Sequence, residues 1–499
     1  MAKSKGKPAH KGKGKGKAKP PGVTTSVTPT NVVAKNEDLS TASIIQTMDK
    51  PSTSGRRVRL ALSMIMGNEE AIVRRCLTNM APIIKATDGI IIISCNGSDG
   101  TRGIIDKFLK DNDIMGMTIY RPWIKDFGNN RTETLKVVED YVFQYQRSKR
   151  MGTEFIPTCE KNFSTIDNRL ATHKISELED IWYSVHTDAD NLLLPYGVTH
   201  EQWLKTPDQN REYVIPDLQM IASTYEDRYD IPTYRGDPKH TYASAFLLKV
   251  GPIDRIYWED PLHEYVVTKG GSSRLYPQLA NCWMYSSAEG DRNRDPAGKD
   301  LDDYVTLQRA ISSKGDKIRW WYYSGKSLRD YLAHTSEGVM RKHYLDMAVT
   351  CFKQVIDRGD WLEERYMACY HAATIIKWYG GIERREEALG MFLKCLEFMA
   401  ERRETLWHIV DLATLLGKKN IAWPLCKLGW KRPRRTYLLE FDDETWTYKF
   451  PLAAASCAWD WGEKDCWKEL TLEAVNSKYC PEHERTHNLN EIKRIMPTS

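Results

Sequence analysis

Residues 58–66, VRLALSMIM, and residues 89–94, GIIIIS, decide the fold of this chain. Both runs are almost continuously apolar, and each is followed by a polar turn and then by a segment with helical spacing. Strands that are apolar on both faces and alternate with helices are typical of parallel sheets covered by helices. We therefore predict an α/β domain with a mostly parallel central sheet. A later short strand is predicted at 182–187, where it runs into acidic residues.

The pattern changes after about Asp300, where apolar residues recur at helical spacing. Two similar segments, YHAATIIKWYGG (370–381) and WHIVDLATLLGKK (407–419), lie about 40 residues apart, a spacing typical of stacked helix pairs. We predict an all-α helical-repeat domain, with an ordinary helical bundle as the alternative. The predicted helices lie near 340–358, 362–379, 384–400 and 403–416.

The basic character of the chain belongs to its N-terminus. Residues 1–22 hold eight Lys and no acidic residue, so the rest of the chain has a net charge of −3 against +5 for the whole. Such a Lys/Gly/Pro segment cannot bury a core, and we predict that it is disordered. It could contact nucleic acid or another anionic partner, or act as a solubilising arm. The predicted organisation is a tail and linker over 1–55, an α/β domain over 56–298 and a helical domain over 299–499.

Several classes of protein are disfavoured by what the sequence lacks. No apolar run reaches the roughly 18 residues of a membrane span, and the N-terminus has no apolar secretory segment. None of the eleven Cys forms a C-x-x-C pair, which favours reduced thiols in a cytoplasmic protein. Phosphate-binding G-x-x-x-x-G-K-[ST], dinucleotide-binding G-x-G-x-x-G, G-x-S-x-G and H-E-x-x-H motifs are also missing.

Three polar clusters follow the predicted strands, at 67–70, 96–101 and 188–191. Ligands of open parallel sheets bind at the carboxyl ends of the strands, so three such clusters in order indicate a binding site, although each alone could be a turn. In the third cluster, Asp188 and Asp190 point the same way along an extended segment. Two neighbouring carboxylates repel each other unless a cation lies between them, and their hard oxygens suit Mg²⁺ or Mn²⁺.

Seven ordered segments of the sequence carry a resemblance to a known family. Those in the N-terminal part are LSMIMGNEEAIVRRCLTNMAPI, IIIISCNGSDGTRGIIDKF, RPWIKDFGNNRTETL, WYSVHTDADNLLLP and YWEDPLHEYVV. Those in the C-terminal part are CLEFMAERRETLWHIVDLATLLGKK and AAASCAWDWGEKDCWKELTLEAV. The first five resemble the family 2 glycosyltransferases of the GT-A fold, and the last two are similar to the tetratricopeptide-like helices that follow the catalytic domain in some members.

The resemblance implies a site for a nucleoside-diphosphate sugar. It implies that Asp188, Asp190 and His263 bind Mn²⁺ or Mg²⁺, and that Glu264 is the general base, with Asp260 and then Glu259 as rivals. The residues implied to border the donor are Asn68, Glu69, Ser94, Asn96, Asp99, Asp126, Asn130, Arg131 and Asp188.

The chain departs from the family in a few places. Ser94 and Cys95 stand where members usually have an aspartate that meets the nucleobase, so the resemblance does not assign a uridine donor. Thr132 and Asn191 also differ from the usual Asn and acidic residue. The stretch between Gly128 and Asp188 is longer than usual, and we predict an inserted loop or hairpin near 147–179 that covers the site or contacts the acceptor.

The implied reaction is a metal-dependent, inverting sugar transfer to an acceptor hydroxyl, with the metal offsetting charge on the departing diphosphate. The acceptor could be a glycan, a protein or a modified base in DNA. The alternative hypothesis is a catalytically degenerate module that recruits a partner through its helical repeats.

Overall fold

The computed structural model describes residues 56–496 apart from short gaps. The predicted tail at 1–55 therefore lies outside the described residues. The gaps fall at 157–162, 173–177, 208–210, 212, 225, 237, 239–240, 252–255, 270–275, 337, 436, 438 and 440–441.

An eight-stranded mixed sheet forms the centre of the N-terminal part. The strands are β1 Val58–Met66, β2 Ile90–Cys95, β3 Gly116–Ile119, β4 Ile181–His186, β5 Asn191–Pro195, β6 Arg228–Tyr234, β7 Thr241–Lys249, β8 Ile256–Glu259, β9 Tyr265–Thr268 and β10 Cys282–Ser286. Their order in the sheet is β3-β2-β1-β4-β7-β6-β10-β5. The contiguous strands β3, β2, β1 and β4 are parallel, whereas β7 is antiparallel to both of its neighbours. Strands β8 and β9 form a separate antiparallel pair.

Helices cover both faces of this sheet, because the side chains of β1 alternate between two cores. Leu60 and Leu62 pack with the first helices on one face, and Ala61 packs with the long third helix on the other. The residue runs that predicted buried strands are buried on both faces, which confirms the parallel arrangement at the centre. The helices are α1 Val73–Ala86, α2 Thr101–Asp111, α3 Phe127–Met151, α4 Phe163–Leu170, α5 His200–Lys205 and α6 Leu218–Thr224.

In the predicted insertion near 147–179 the structure describes two helical segments, 147–151 and 163–170, with non-helical residues at 152–156, 171–172 and 178–179. Helix α3 continues to Met151 and ends at Gly152 in the left-handed conformation, and α4 packs back against α3. Arg169 donates to Asp140 across this contact at 2.8 Å. None of the described residues of this stretch lines the two cavities discussed below. It thickens the helical layer on one face of the sheet.

In the described ranges after β10 the regular elements are all helical, and consecutive helices pack against one another. The predicted α/β domain with a central sheet followed by an all-α repeat region is thus confirmed. Small buried residues such as Ala372 and Ala413 let the helices approach closely. The helices are α7 Pro296–Lys314, α8 Ile318–Leu332, α9 Val339–Arg358, α10 Leu362–Tyr379, α11 Arg385–Met399, α12 Arg403–Leu415, α13 Lys419–Trp430, α14 Phe450–Asp460, α15 Lys464–Val475 and α16 Glu482–Ile495, with a π-helical turn at Thr445–Lys449 and short 3₁₀ turns at Asp291–Asn293 and Ile382–Arg384.

An apolar cluster joins the two parts of the chain. Leu262, in the loop between β8 and β9, packs with Leu307 of α7 and Trp320 of α8, and Phe127 at the start of α3 lies against them. No described helix is both long and apolar enough to cross a bilayer. The ten cysteines in the described ranges are free thiols, and nine of them are buried.

Candidate active site

The carboxyl ends of β1, β2 and β4 meet at one edge of the sheet because these strands are parallel and in register. Met66 pairs with Cys95, and Ser63 pairs with His186. The loops that follow are joined by Asn68, whose Oδ1 accepts a hydrogen bond from the Ser98 amide at 2.8 Å. Gly97 permits this approach, since a Cβ there would lie 2.3 Å from the Gly67 carbonyl oxygen. The predicted convergence of the three polar clusters is present.

A cavity of about 600 Å³ opens at this edge, between the strand ends, the β8–β9 loop and helix α7. Its volume lies within the roughly 300–1,000 Å³ usual for small-molecule sites. It brings together eight of the residues singled out from the sequence. They are Asn68, Glu69, Asn96, Arg131, Asp188, Asp190, His263 and Glu264.

Acidic side chains crowd the centre of this cavity. Burial, and then the charge of Asp188, raise the pKa of Asp190. Burial chiefly, with the charges of Asp291 and Asp190, raises the pKa of Glu69 to about 7, although the Asp291 amide donates to this carboxylate at 3.2 Å. Both pKa values are raised chiefly because burial removes the carboxylates from water, which disfavours their charged forms.

Arg131 neutralises part of the negative charge of this cluster. Its guanidinium donates to Asp188 Oδ1 at 2.6 Å and to Glu264 Oε1 at 2.7 Å, and it lies over the ring of Trp258. The two carboxylates together raise the pKa of Arg131 in spite of its burial. The Asp188 side chain nevertheless remains 52% exposed, so one of its faces is open to the cavity.

The lining of the cavity has an excess of negative charge. Seven carboxylates and four Lys or Arg side chains line it, a formal net charge of −3 when every carboxylate is ionised and the histidine is neutral. An anionic ligand such as a nucleoside diphosphate would be repelled here unless a cation entered with it. This excess lies next to Asp188 and Asp190, the pair whose hard oxygens suit a divalent ion.

The residues present fit a divalent ion held by two carboxylates. Mg²⁺ is commonly bound through one or two protein carboxylates, with waters and substrate phosphates completing its shell. Asp188 and Asp190 would hold the ion. Within the described ranges no three or more His, Cys, Asp or Glu side chains are close enough to form a ligand group, so His263 does not complete one with this pair. Its ring stacks instead on Tyr323 of α8, with the centroids 3.8 Å apart.

Two residues implied to belong to the site lie on the other side of the β8–β9 loop. Asp126 caps α3 by accepting from the Asn129 amide at 2.9 Å, and Asp260 accepts from Lys317 at 2.9 Å. Both line a separate groove, with Lys317 and Trp320. Gly128 holds the two elements together, since a Cβ there would lie 2.6 Å from the Asp260 carbonyl oxygen. Their carboxylates therefore serve the fold at this junction, and Asp260 is not placed to act on a ligand of the main cavity.

Three further candidates lie at the margins of the main cavity. Asp99 lines an adjoining open groove and accepts from the Thr101 and Glu70 amides at 3.0 and 3.2 Å. Ser94 and Asn130 line a small pocket behind Trp123, where Asn130 donates to the Ile124 carbonyl at 2.7 Å. Their polar groups are largely used by the local fold.

The sequence reasoning missed the contribution of residues 290–306. Gly290 lies against the acidic cluster, and a Cβ on it would lie 3.5 Å from Glu69 Oε1 and 3.6 Å from Asp190 Oδ2. Arg292, Lys299 and Asp303 of the same stretch line the cavity. The only signal was the charge-rich segment GDRNRD at 290–295, directly before the predicted domain boundary.

The comparisons with known proteins give distant similarities. No protein-family model matches the chain, and no curated protein matches it. Two structures of S. aureus TarS 1–349, one in complex with UDP, are 10% identical, and each match covers 64% of this chain and 89% of that chain, with TM-scores of 0.29 and 0.28. The tetratricopeptide-repeat protein TTC0263 of Thermus thermophilus is 14% identical over 39% of this chain and 91% of its own, with a TM-score of 0.24. TM-scores this low carry no conclusion about activity.

Proposed function

We propose that this chain transfers a sugar from a nucleoside-diphosphate sugar to an acceptor hydroxyl, with inversion at the anomeric carbon. The observation that carries the proposal is the Asp188–Asp190 pair in a cavity of net negative charge at the carboxyl ends of parallel strands. Such a cavity suits an anionic diphosphate only together with a divalent cation. The GT-A and family 2 assignments, suggested by the sequence segments, belong to this proposal.

The residues of the chain have distinct roles in the proposed reaction. A divalent ion, when bound, supplies Lewis-acid stabilisation of the charge on the departing diphosphate. The acceptor oxygen forms the new bond to the anomeric carbon, the bond from that carbon to the diphosphate oxygen breaks with its electron pair, and Glu264 takes the acceptor proton. Arg131 holds Glu264 and Asp188 in fixed relative positions. Asn68 fixes the loops that border the donor.

The proposal is tested with the full chain and a panel of nucleotide-sugars, with Mn²⁺ or with a chelator. We expect at least one donor to be turned over in a metal-dependent way. Asp188→Ala should abolish this turnover and the metal-dependent thermal shift by the nucleotide. Asp465→Ala, at an exposed position in α15, is the matched control and should leave both unchanged. Full turnover by Asp188→Ala would refute the proposal.

A second candidate function is a catalytically degenerate binding module. The ion pair between Arg131 and Asp188 favours it, because the guanidinium occupies one of the oxygens that a metal would need. In that case no nucleotide-sugar is turned over, and Mn²⁺ gives no thermal shift with any nucleotide. Arg131→Lys separates the two ideas. In a transferase, Arg131→Lys should lower activity because Glu264 is no longer held in place. In a binding module, the same change should leave the affinity for the partner unaltered.

We also propose that the N-terminal tail contacts nucleic acid. A Lys-rich tail over residues 1–22 would bind DNA through its phosphates, with an affinity that falls steeply as salt is raised. Deleting these residues should remove salt-dependent DNA binding from the full chain. Unchanged binding would exclude the tail as the contact.

A further inference from the structure

A second cavity, of about 550 Å³, lies on the far side of Arg131 from the first. Arg131, Asp188, His263 and Glu264 line both cavities. Glu264 therefore stands at the boundary between them. A base in this position could take a proton from a group held in the second cavity while a donor occupies the first.

Both parts of the chain build the walls of this second cavity. Strands β6 and β7 supply Thr233, Tyr242 and Ser244 on one side, and helix α8 supplies Arg319 and Tyr323 on the other. The stacking of His263 on Tyr323 fixes α8 against the β8–β9 loop. The helical domain is thus a structural part of the cavity.

Aromatic rings and hydroxyl groups dominate the chemistry of the second cavity. The rings of Tyr242 and Tyr265 are 42% and 41% exposed, although each belongs to a strand at a concave surface. Hydroxyl groups of Thr187, Thr233 and Ser286 also line the cavity. Aromatic faces beside hydroxyl groups suit a sugar, which has apolar C–H faces and a rim of hydroxyls.

The arginines of this cavity are already paired with carboxylates. Three arginines and two carboxylates line it, a formal net charge of +1 with the histidines neutral. Arg228 forms two hydrogen bonds with Asp230, at 2.5 and 3.1 Å. Arg319 pairs with Glu364 at 3.6 Å and donates to the Tyr323 hydroxyl at 3.0 Å. An anionic ligand would therefore gain little from these guanidinium groups, and this pairing favours an uncharged ligand.

One buried polar group beside this cavity has no partner from the protein. Among the described residues nothing forms a hydrogen bond with His186 Nε2, although the residue is only 5% exposed. An imidazole nitrogen can donate or accept a hydrogen bond, depending on the tautomer. Buried polar groups are usually satisfied, and a ligand hydroxyl or a water in the cavity would do so here.

We infer that the second cavity is the acceptor subsite, that it takes an uncharged sugar residue of a glycan, and that helix α8 forms part of it. The inference rests on the proposed function, since it assigns the acceptor of that reaction. Its aromatic and hydroxyl-bearing walls, and arginines already paired with carboxylates, favour a terminal sugar over a base in DNA or a folded protein surface. Tyr242 supplies the exposed ring, and Tyr323 closes the cavity from the helical domain.

The test uses ligand-observed NMR on the full chain, with the diamagnetic ion Mg²⁺ and UDP present in one series and absent in another. The probes are the methyl glycosides of glucose, galactose, mannose and N-acetylglucosamine, with glucose 6-phosphate and a short duplex DNA as competitors. Tyr242→Ala removes the exposed ring and should weaken glycoside binding by about tenfold. Tyr196→Ala, at a 55% exposed tyrosine outside both cavities, is the matched control and should bind as the wild type.

Tyr323→Phe keeps the stacked ring and removes only the hydroxyl that accepts from Arg319, so a smaller loss of glycoside affinity is expected from a protein that still folds. Once a donor is known, Tyr242→Ala should raise the KM for the glycoside acceptor while the affinity for the nucleotide is kept. The inference is overturned if no glycoside binds, if glucose 6-phosphate or DNA displaces the glycoside from this site, or if Tyr242→Ala binds like Tyr196→Ala. Failure of the proposed function is separate, because it would appear as an absence of nucleotide binding.

Discussion

Replacing Glu69 by Gln should change how the stability of the protein depends on pH. In the folded chain the pKa of Glu69 is about 7, against an ordinary value of 4.5. The folded state thus holds this proton more tightly than the unfolded chain does. Protonation stabilises the fold fully below pH 4.5, and this stabilisation is lost as the pH rises through 7. The Gln variant, which is neutral throughout, lacks this dependence.

The size of the effect follows from the two pKa values. Their difference corresponds to an upper bound of about 3 kcal/mol in the free energy of unfolding. The side chain is only partly buried, so solvent screening reduces this to about 1–2 kcal/mol. For a domain of this size 1 kcal/mol shifts Tm by about 2–4 °C, so the variant should gain about 5 °C on the wild type between pH 5 and 8.

The assay is thermal unfolding at pH 5 to 8 in a chelator, followed by the same series with Mn²⁺. Glu70→Gln, at the exposed neighbouring position, is the control and should follow the wild type. Mn²⁺ should stabilise the wild type more at pH 8 than at pH 5, because the carboxylates must lose their protons to bind the ion. If the Tm of the wild type and the Tm of Glu69→Gln change with pH in the same way, this account of the acidic cluster is refuted.

Three further predictions concern the same cluster. Arg131→Ala leaves Asp188 and Glu264 without their shared partner and should lower the free energy of unfolding by about 3 kcal/mol, whereas Arg131→Lys should lower it less. Denaturant unfolding measures both values. An equal loss in the two variants would contradict a guanidinium that bridges two carboxylates. Gly290→Ala should leave Tm unchanged, since its φ of −56° suits alanine, yet weaken Mn²⁺ binding measured by calorimetry, because the methyl group faces the Asp190 carboxylate. Glu264→Gln should lower kcat for transfer by about a hundredfold or more with little change in nucleotide affinity, and unchanged kcat would exclude it as the base.

The sequence predicted the structure correctly where a local pattern of apolar residues marks a strand and the site residues follow directly at its end. The isoleucine run at 90–93 and the apolar run at 58–66 could only be buried strands, and parallel strands bring their carboxyl ends together. Asp188 followed such a strand directly, so its place in the cavity could be predicted without any tertiary information. Strands β6 and β7 were harder, because sheet pairing between distant segments has no short-range pattern.

The rest depended on how loops turn and which elements they meet. Asp260 and His263 both have positive φ values, 78° and 54°. Their side chains therefore do not point to alternating sides, as they would in an extended segment. Asp260 consequently faces Lys317, and His263 faces Tyr323. Neither partner is close in the sequence. Gly290 was invisible for a similar reason, since only the folded chain shows that it lies against Asp190.

The apolar contact of Leu262 and Phe127 with Trp320 has a consequence for how this chain can be divided. A fragment that stopped before Pro296 would leave two large apolar side chains facing water and would lose the lysine that holds the Glu259–Asp260 turn. The N-terminal part is therefore not expected to fold when it is expressed without α7 and α8. A deletion of the helices that follow α8 would leave this apolar contact intact.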